Sequence, residues 1–130
     1  MKQEYKKVNW NEQFKIRPRR NASRKHEIIK LLIVLNLLEK NKKNLQWIRI
    51  YTEFPIGSKK ITDVYYENVK TNEIICYEIQ NNISKSWLKK TNESYNKFDV
   101  LYFKTDWILV KEKEIDNNIE RMEKQIKQII

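Results

Sequence analysis

Two acidic side chains interrupt apolar, strand-like runs that are separated by one short polar turn. Asp63 lies in the run from Lys60 to Tyr66, and Glu78 lies fifteen residues after it in the run from Ile74 to Gln80. A carboxylate in a strand that otherwise belongs to a core is costly unless it is paired with a cation or bound to a metal ion. This pair therefore constrains the fold more than any other feature of the chain.

The short turn predicts that the two runs pair as an antiparallel hairpin. With the turn centred between Lys70 and Thr71, Asp63 lies directly opposite Glu78, with the two Cβ atoms about 5 Å apart on one face. If the strand register is shifted by two residues, Gln80 lies opposite Asp63 instead. Either register therefore gathers the three polar side chains. Two carboxylates this close repel each other unless a cation neutralises them, and oxygen ligands suit Mg²⁺ or Mn²⁺. The opposite face is apolar and carries Val64, Tyr66, Ile75, Tyr77 and Ile79.

The positive charge of the chain is concentrated near its N-terminus. The formal net charge of the 130 residues is +10, and residues 1–30 contain ten Lys or Arg against three acids. A segment of this kind is typical of phosphate contacts that do not depend on base sequence, although a solubilising arm or a compositional bias toward Lys, Asn and Ile is the plain alternative. We therefore expect a nucleic acid as partner, contacted by Arg17, Arg19, Arg20, Arg24 and Lys25.

Composition excludes several other classes of protein. With Gly57 as its only glycine, the chain has no Gly-rich phosphate-binding loop. One histidine, His26, and one cysteine, Cys76, exclude a conventional zinc site, and the single cysteine excludes an internal disulfide, which predicts a cytoplasmic protein. The longest apolar run, 28–38, is too short to span a membrane. We expect Cys76 in the core, His26 on the surface and Trp10 as an exposed aromatic.

Hydrophobic periodicity and turn residues predict the order α-β-β-β-α-β-β-α, which indicates an α/β fold with a central mixed sheet. A basic arm of residues 1–22 precedes a single domain of residues 23–130.

The last helix is expected to bury Ile115, Ile119, Met122 and Ile126. A turn is expected at residues 104–106. The predicted helices span Asn21 or Ser23 to Asn41, Ser84 to Lys97 and Glu112 to Ile130, and the predicted strands span Leu45–Phe54, Lys60–Tyr66, Ile74–Gln80, Val100–Phe103 and Trp107–Val110.

Glu27 is a candidate third acidic member of the site. It aligns by helical steps with the leucines of the first predicted helix, one turn before them, so it can point at the same carboxylates. Stabilisation of the helix N-terminus is the alternative explanation. The expected inner face of this helix carries Leu31, Val34, Leu35 and Leu38.

The order of these features resembles the PD-(D/E)XK nuclease superfamily, which includes archaeal Holliday-junction resolvases and type II restriction enzymes. The order is a Glu on a helix, an Asp on a strand, a Glu-x-Gln on the next strand and then a helix. The stretch from Glu78 through Ile83-Ser84, Trp87 and Lys89-Lys90 to Tyr95 is also similar to the nuclease core of the competence protein CoiA. The resemblance covers about residues 23–110. It implies a restriction-endonuclease-like core of three layers.

The resemblance also implies a metal-dependent endonuclease that cleaves DNA. Asp63 and Glu78 would bind Mg²⁺ or Mn²⁺ together with the backbone carbonyl of Ile79, and Glu27 would complete the ligand set or orient a water. The metal would lower the pKa of that water and stabilise charge on the phosphate. A homodimer is implied as well.

The chain departs from the family pattern at two points. Ile61-Thr62-Asp63 lacks the Pro of the motif, and Gln80 occupies the position usually held by Lys. Gln can orient a water by hydrogen bonds but supplies no positive charge. Lys85 or Lys89 on the following helix is the expected replacement, and both are expected to contact nucleic acid.

Three interpretations therefore stay open. The chain is a DNA endonuclease, a catalytically inactive nucleic-acid-binding protein on the same fold, or a basic interaction module in which Asp63 and Glu78 pair with Arg or Lys. RNA stays open as the nucleic acid in place of DNA.

Overall fold

The computed structural model describes residues 12–56, 60–98 and 104–130, which contain three α-helices and one five-stranded sheet. The mixed α/β class with a mixed sheet is confirmed. Short 3₁₀ turns precede β2 and α3. In chain order the helices and strands are β1 (Phe14–Lys15), α1 (Arg24–Lys40), β2 (Ile48–Pro55), β3 (Ile61–Asn68), β4 (Glu73–Gln80), α2 (Lys85–Lys97), β5 (Lys104–Lys111) and α3 (Ile119–Ile129).

Each strand of the sheet neighbours the next strand in sequence, in the order β1-β2-β3-β4-β5. Strands β2, β3 and β4 are antiparallel, whereas β1 runs parallel to β2 and β5 runs parallel to β4. The β3–β4 register pairs Val64 with Tyr77 and Tyr66 with Ile75, as the turn position predicted. Asn68 stabilises this turn because its side-chain oxygen accepts the backbone N–H groups of Lys70 and Thr71.

The sheet separates two clusters of apolar side chains. The larger cluster packs α1 and α3 against one face of the sheet, and the smaller one packs Tyr95 of α2 near Cys76 on the other, which gives three layers. The burial of Cys76 is confirmed. The predicted apolar face of the hairpin is also confirmed, because the larger cluster contains or contacts Val64, Tyr66, Ile75, Tyr77 and Ile79.

Helix α1 buries only part of the face that was predicted, namely Val34, which is buried, and Leu38, which packs against the core. Ile29, Ile33 and Leu37 are buried, whereas Leu31 and Leu35 are 48% and 58% exposed. Apolar residues occupy nearly every position from 28 to 38, so their spacing does not single out one face. The prediction that Leu31 and Leu35 belong to the core is therefore wrong.

The end of the chain also differs from the prediction. Residues 104–106 begin β5 instead of forming a turn, because parallel pairing with residues 73–75 keeps them extended. Helix α3 begins at Ile119 and not at Glu112, since Asn118 caps it by accepting the N–H of Arg121. Ile115 is buried before the helix begins, and Ile119 is 56% exposed.

Two further predictions fall on parts of the chain outside the described residues, namely the strand Val100–Phe103 and the exposed Trp10. The described part of the basic segment lies along β2, where Lys15 pairs with Tyr51 and Thr52 Oγ1 donates to the carbonyl of Arg17. Within the described ranges, no helix is long and apolar enough to cross a membrane.

Candidate active site

A cleft of about 590 Å³ lies at the end of the sheet where β3 begins and β4 ends. Asp63, Glu78 and Gln80 all line it. Because β3 and β4 are antiparallel, the first residues of one strand lie beside the last residues of the other. The cleft is also lined by three cationic residues, Arg19, Arg20 and Lys60, and by three apolar ones, Pro18, Ile61 and Trp87. Glu53 is one further acid in the lining.

The two predicted carboxylates lie side by side at the end of the hairpin. Regular pairing of β3 with β4 ends at Val64 and Tyr77, so Asp63 and Glu78 lie just beyond the last paired residues, and both line the cleft. At this point a side chain takes part in the strand contact, because the N–H of Ile79 donates to Asp63 Oδ2 at 2.7 Å. Each carboxylate residue is only 3% exposed, so each needs compensating partners.

Glu78 has a cation and a hydroxyl as partners. Lys60 Nζ lies 3.1 Å from Glu78 Oε1, and the Tyr95 hydroxyl of α2 donates to the same oxygen. Burial raises the pKa of Glu78, while Tyr95 and Lys60 act in the opposite direction. Among the described residues, the cation that pairs with this carboxylate therefore comes from the residue that precedes β3 and not from α2.

Asp63 is linked to α1 through His26. His26 Nε2 lies 3.3 Å from Asp63 Oδ1, and His26 Nδ1 lies 3.0 Å from Glu27 Oε2. Arg19 adds a more distant cation, with NH1 3.7 Å from Asp63 Oδ1. Burial opposes protonation of His26, but Asp63 and Glu27 together raise its pKa above the usual value. The expectation that His26 lies on the surface is wrong, since the residue is 6% exposed.

Glu27 organises the segment that borders the cleft. Its Oε1 atom accepts the N–H of Arg19 at 2.6 Å and also contacts Lys30 Nζ at 2.9 Å. Lys30 in turn donates to the carbonyl of Arg17 at 2.9 Å. Burial raises the pKa of Glu27, but these hydrogen bonds outweigh it and hold the pKa below the usual value. Glu27 does not line the cleft, and it reaches Asp63 through His26.

Glu53 is an acidic residue of the cleft that the sequence did not single out. Strand β2 pairs Thr52 with Val64 and Phe54 with Thr62, so Glu53 lies level with Asp63. Glu53 itself is left out of the regular pairing between β2 and β3, and its backbone φ is 51°. Burial raises its pKa, whereas Lys30, 3.5 Å away, acts to lower it. In sequence Glu53 looked like an ordinary polar residue of an alternating strand.

The cleft offers few side-chain donors for the metal that the resemblance implies. Among the described residues, no three His, Cys, Asp or Glu side chains are grouped as they would be around a metal ion. Asp63 and Glu78 supply two carboxylates, and Mg²⁺ is commonly held by one or two carboxylates with waters and substrate phosphates completing its shell. In number of carboxylates, the pair is therefore compatible with Mg²⁺ or Mn²⁺. Ile79 contributes only its backbone here, because its side chain is buried in the larger core.

The predicted nucleic-acid contacts divide into two groups. Arg19 and Arg20 line the cleft. The other five do not line the cleft. Lys25 is half-buried, and the exposed residues are Arg17, Arg24, Lys85 and Lys89. Gln80 lines the cleft, but its Nε2 atom donates to the carbonyl of Asn82 at 3.1 Å.

Comparison with known proteins provides no relative. The chain matches no protein-family model, no curated protein and no solved structure.

Proposed function

We propose that this chain is a restriction-endonuclease-like enzyme that hydrolyses phosphodiester bonds of DNA with Mg²⁺ or Mn²⁺. The observation that carries the proposal is that Asp63 and Glu78, both buried, line one cleft together with Arg19, Arg20 and Lys60. Carboxylates bind the ion and cations bind phosphates, so both components of such a site are present in one cavity.

In this proposal Asp63 and Glu78 hold the ion, and the carbonyl of Ile79 is a further candidate ligand. When bound, the ion would lower the pKa of a water and stabilise charge on the phosphate. His26 fixes the orientation of Asp63, and Glu27 fixes that of His26. Gln80 is proposed to orient the attacking water.

Lys60 is proposed to supply the positive charge that Gln80 lacks. Its ammonium neutralises Glu78 at 3.1 Å and lies inside the cleft. The side chain is long and flexible, so the same ammonium can reach a phosphate of bound nucleic acid. Lys85 and Lys89 are exposed and do not line the cleft, which makes them weaker candidates for this role.

The test is cleavage of labelled duplex, single-stranded and four-way-junction DNA, with Mg²⁺, with Mn²⁺ and with EDTA. Glu78→Gln keeps the shape of the side chain but removes its charge, and we expect it to abolish cleavage while leaving DNA binding intact. Glu73→Gln makes the same change at the exposed start of β4 and should cleave like the wild type. Metal-dependent cleavage that survives in Glu78→Gln would refute the proposed site.

A second candidate function is binding of nucleic acid without cleavage. Two observations favour it: Asp63 and Glu78 already have cationic partners, and the Gln80 amide is engaged by Asn82. The same assay separates the two functions. Tight binding with no cleavage under either metal would establish the second one.

A further inference from the structure

One side of the cleft is apolar. Trp87, in the first turn of α2, is half-buried and lines the cleft together with Ile61, which is 57% exposed. Contacts to phosphates alone do not require an aromatic side chain beside the cations. A partly exposed indole next to cationic groups is instead typical of sites that stack a nucleobase.

Other aromatic side chains hold the Trp87 ring in place. Trp107 contacts it at 6.3 Å between ring centroids with an interplanar angle of 70°. Trp107 in turn stacks on Tyr95 at 5.3 Å and 9°, and the Tyr95 hydroxyl donates to Glu78. The indole is therefore pre-positioned relative to the carboxylates, which lowers the entropic cost of binding a ligand on it.

Cations lie where the backbone flanking such a base would run. Lys60 Nζ is 5.2 Å from the centroid of the Trp87 ring, and Arg19 and Arg20 line the same cavity. A flat neutral base on the ring with phosphates beside it matches this combination of apolar surface and positive charge.

We propose that Trp87 and Ile61 form a platform for one unpaired nucleobase, so that the cleft selects single-stranded or locally melted nucleic acid. This inference rests on the proposed function, since it names the substrate class of the same cleft. A base on the indole displaces the Lys60 ammonium from the ring, and the ammonium then contacts the flanking phosphate. Bases within a duplex are stacked on their neighbours on both faces, so only an unpaired base offers a free face.

The test compares binding of two ligands, an oligothymidylate and a chain of abasic sugar-phosphates of the same length. The proteins are wild type, Trp87→Phe, Trp87→Ala and Leu88→Ala, measured in EDTA by fluorescence anisotropy. Leu88 is the matched control because it is the next residue of α2, is 37% exposed and does not line the cleft. Oligouridylate is measured in parallel to compare RNA with DNA as the source of the base.

We expect Trp87→Ala to weaken binding of the base-bearing oligonucleotides by roughly 5- to 160-fold, the range for loss of one stacked base, and to leave the abasic chain nearly unaffected. Trp87→Phe should retain most of the affinity, and Leu88→Ala all of it. Because the abasic chain is measured with the same protein sample, a general loss of folding would weaken both ligands equally and is recognised as such.

Equal weakening of both ligands, or none, in a folded Trp87→Ala variant would overturn the platform while leaving the proposed nuclease intact. Folding is checked by the near-UV circular dichroism of each variant. Wild-type protein that binds none of the oligonucleotides would overturn both proposals. Selective loss with oligothymidylate alone would assign the platform to DNA, and loss with both polymers would extend it to RNA.

Discussion

His26 Nε2 lies 3.3 Å from Asp63 Oδ1, whereas the other ring nitrogen lies 3.0 Å from Glu27 Oε2. One buried imidazole therefore connects the first turn of α1 to the carboxylate at the start of β3. Nε2 makes no hydrogen bond of regular geometry despite this proximity. The contact is thus electrostatic in the structure, and it couples the position of the helix to that of the site.

Replacing this imidazole should destabilise the protein. His26→Ala leaves two carboxylates without their shared partner, and we expect the free energy of unfolding in urea to fall by about 1–3 kcal/mol. Lys25→Ala removes a neighbouring, half-buried side chain of the same helix turn and should change it by less than about 0.5 kcal/mol. Equal stability of the two variants would contradict the coupling.

Lys60 should matter more for cleavage than the lysines of α2. Lys60→Met removes the ammonium 3.1 Å from Glu78, and we expect cleavage to slow by about 100-fold, as for loss of one preorganised charged donor. Lys60→Arg keeps the charge and should retain much of the rate. Lys85→Met is the control at an exposed position, and similar losses in both Met variants would argue against a specific role for Lys60.

The backbone conformation of Glu53 predicts that a Gly variant at this position is more stable than an Ala variant. At a φ of 51° a residue with a Cβ is strained, whereas glycine is not. Both Glu53→Gly and Glu53→Ala lose the carboxylate near Lys30, so their difference reports the backbone. We expect the Gly variant to be more stable by about 1 kcal/mol in urea unfolding. If Ala proves equal or better, residue 53 does not have this conformation.

Arg20 should contribute to the salt dependence of DNA binding. It lines the cleft, and Arg20→Gln should reduce the slope of log affinity against log salt by about 0.7–0.9, the value for one phosphate contact. Lys42→Gln removes the same charge just beyond the C-terminal end of α1, where Lys42 pairs with Glu39, and should leave the slope unchanged. Identical slopes in both variants would exclude Arg20 from the phosphate contacts.

The buried thiol of Cys76 predicts that the free energy of unfolding falls at alkaline pH. Burial raises the pKa of its thiol from 9.0 to about 12, so between these values the unfolded chain loses a proton that the folded chain keeps. Folding stability must therefore fall as pH rises above about 9. Cys76→Ala removes this contribution, and its stability should fall less between pH 8 and pH 10. Parallel curves for the two proteins would contradict a buried, neutral thiol.

Much of the local structure was predictable from sequence. Helix α1 begins after Ser23, one of its two predicted starting residues, and α2 begins after Ser84, because a side-chain oxygen placed before a helix satisfies a free N–H of its first turn. The buried face of α1 was not predictable, since Leu31 and Leu35 have the same spacing as Ile29 and Ile33. Only packing against the sheet and α3 distinguishes the two faces.

The sequence by itself determined that Asp63 and Glu78 lie together at one end of the hairpin. A short turn sets the register of its two strands and so places residues 63 and 78 at the same end. Their side chains nevertheless contact helices on opposite sides of the sheet, Asp63 through His26 of α1 and Glu78 through Tyr95 of α2. The tertiary structure alone decided what those carboxylates contact. His26 lies on a helix whose rotation depends on packing, and Lys60 and Tyr95 approach Glu78 from the chain segments on either side of the hairpin. Such contacts depend on how whole helices and strands pack, and neighbouring residues in sequence do not encode that packing.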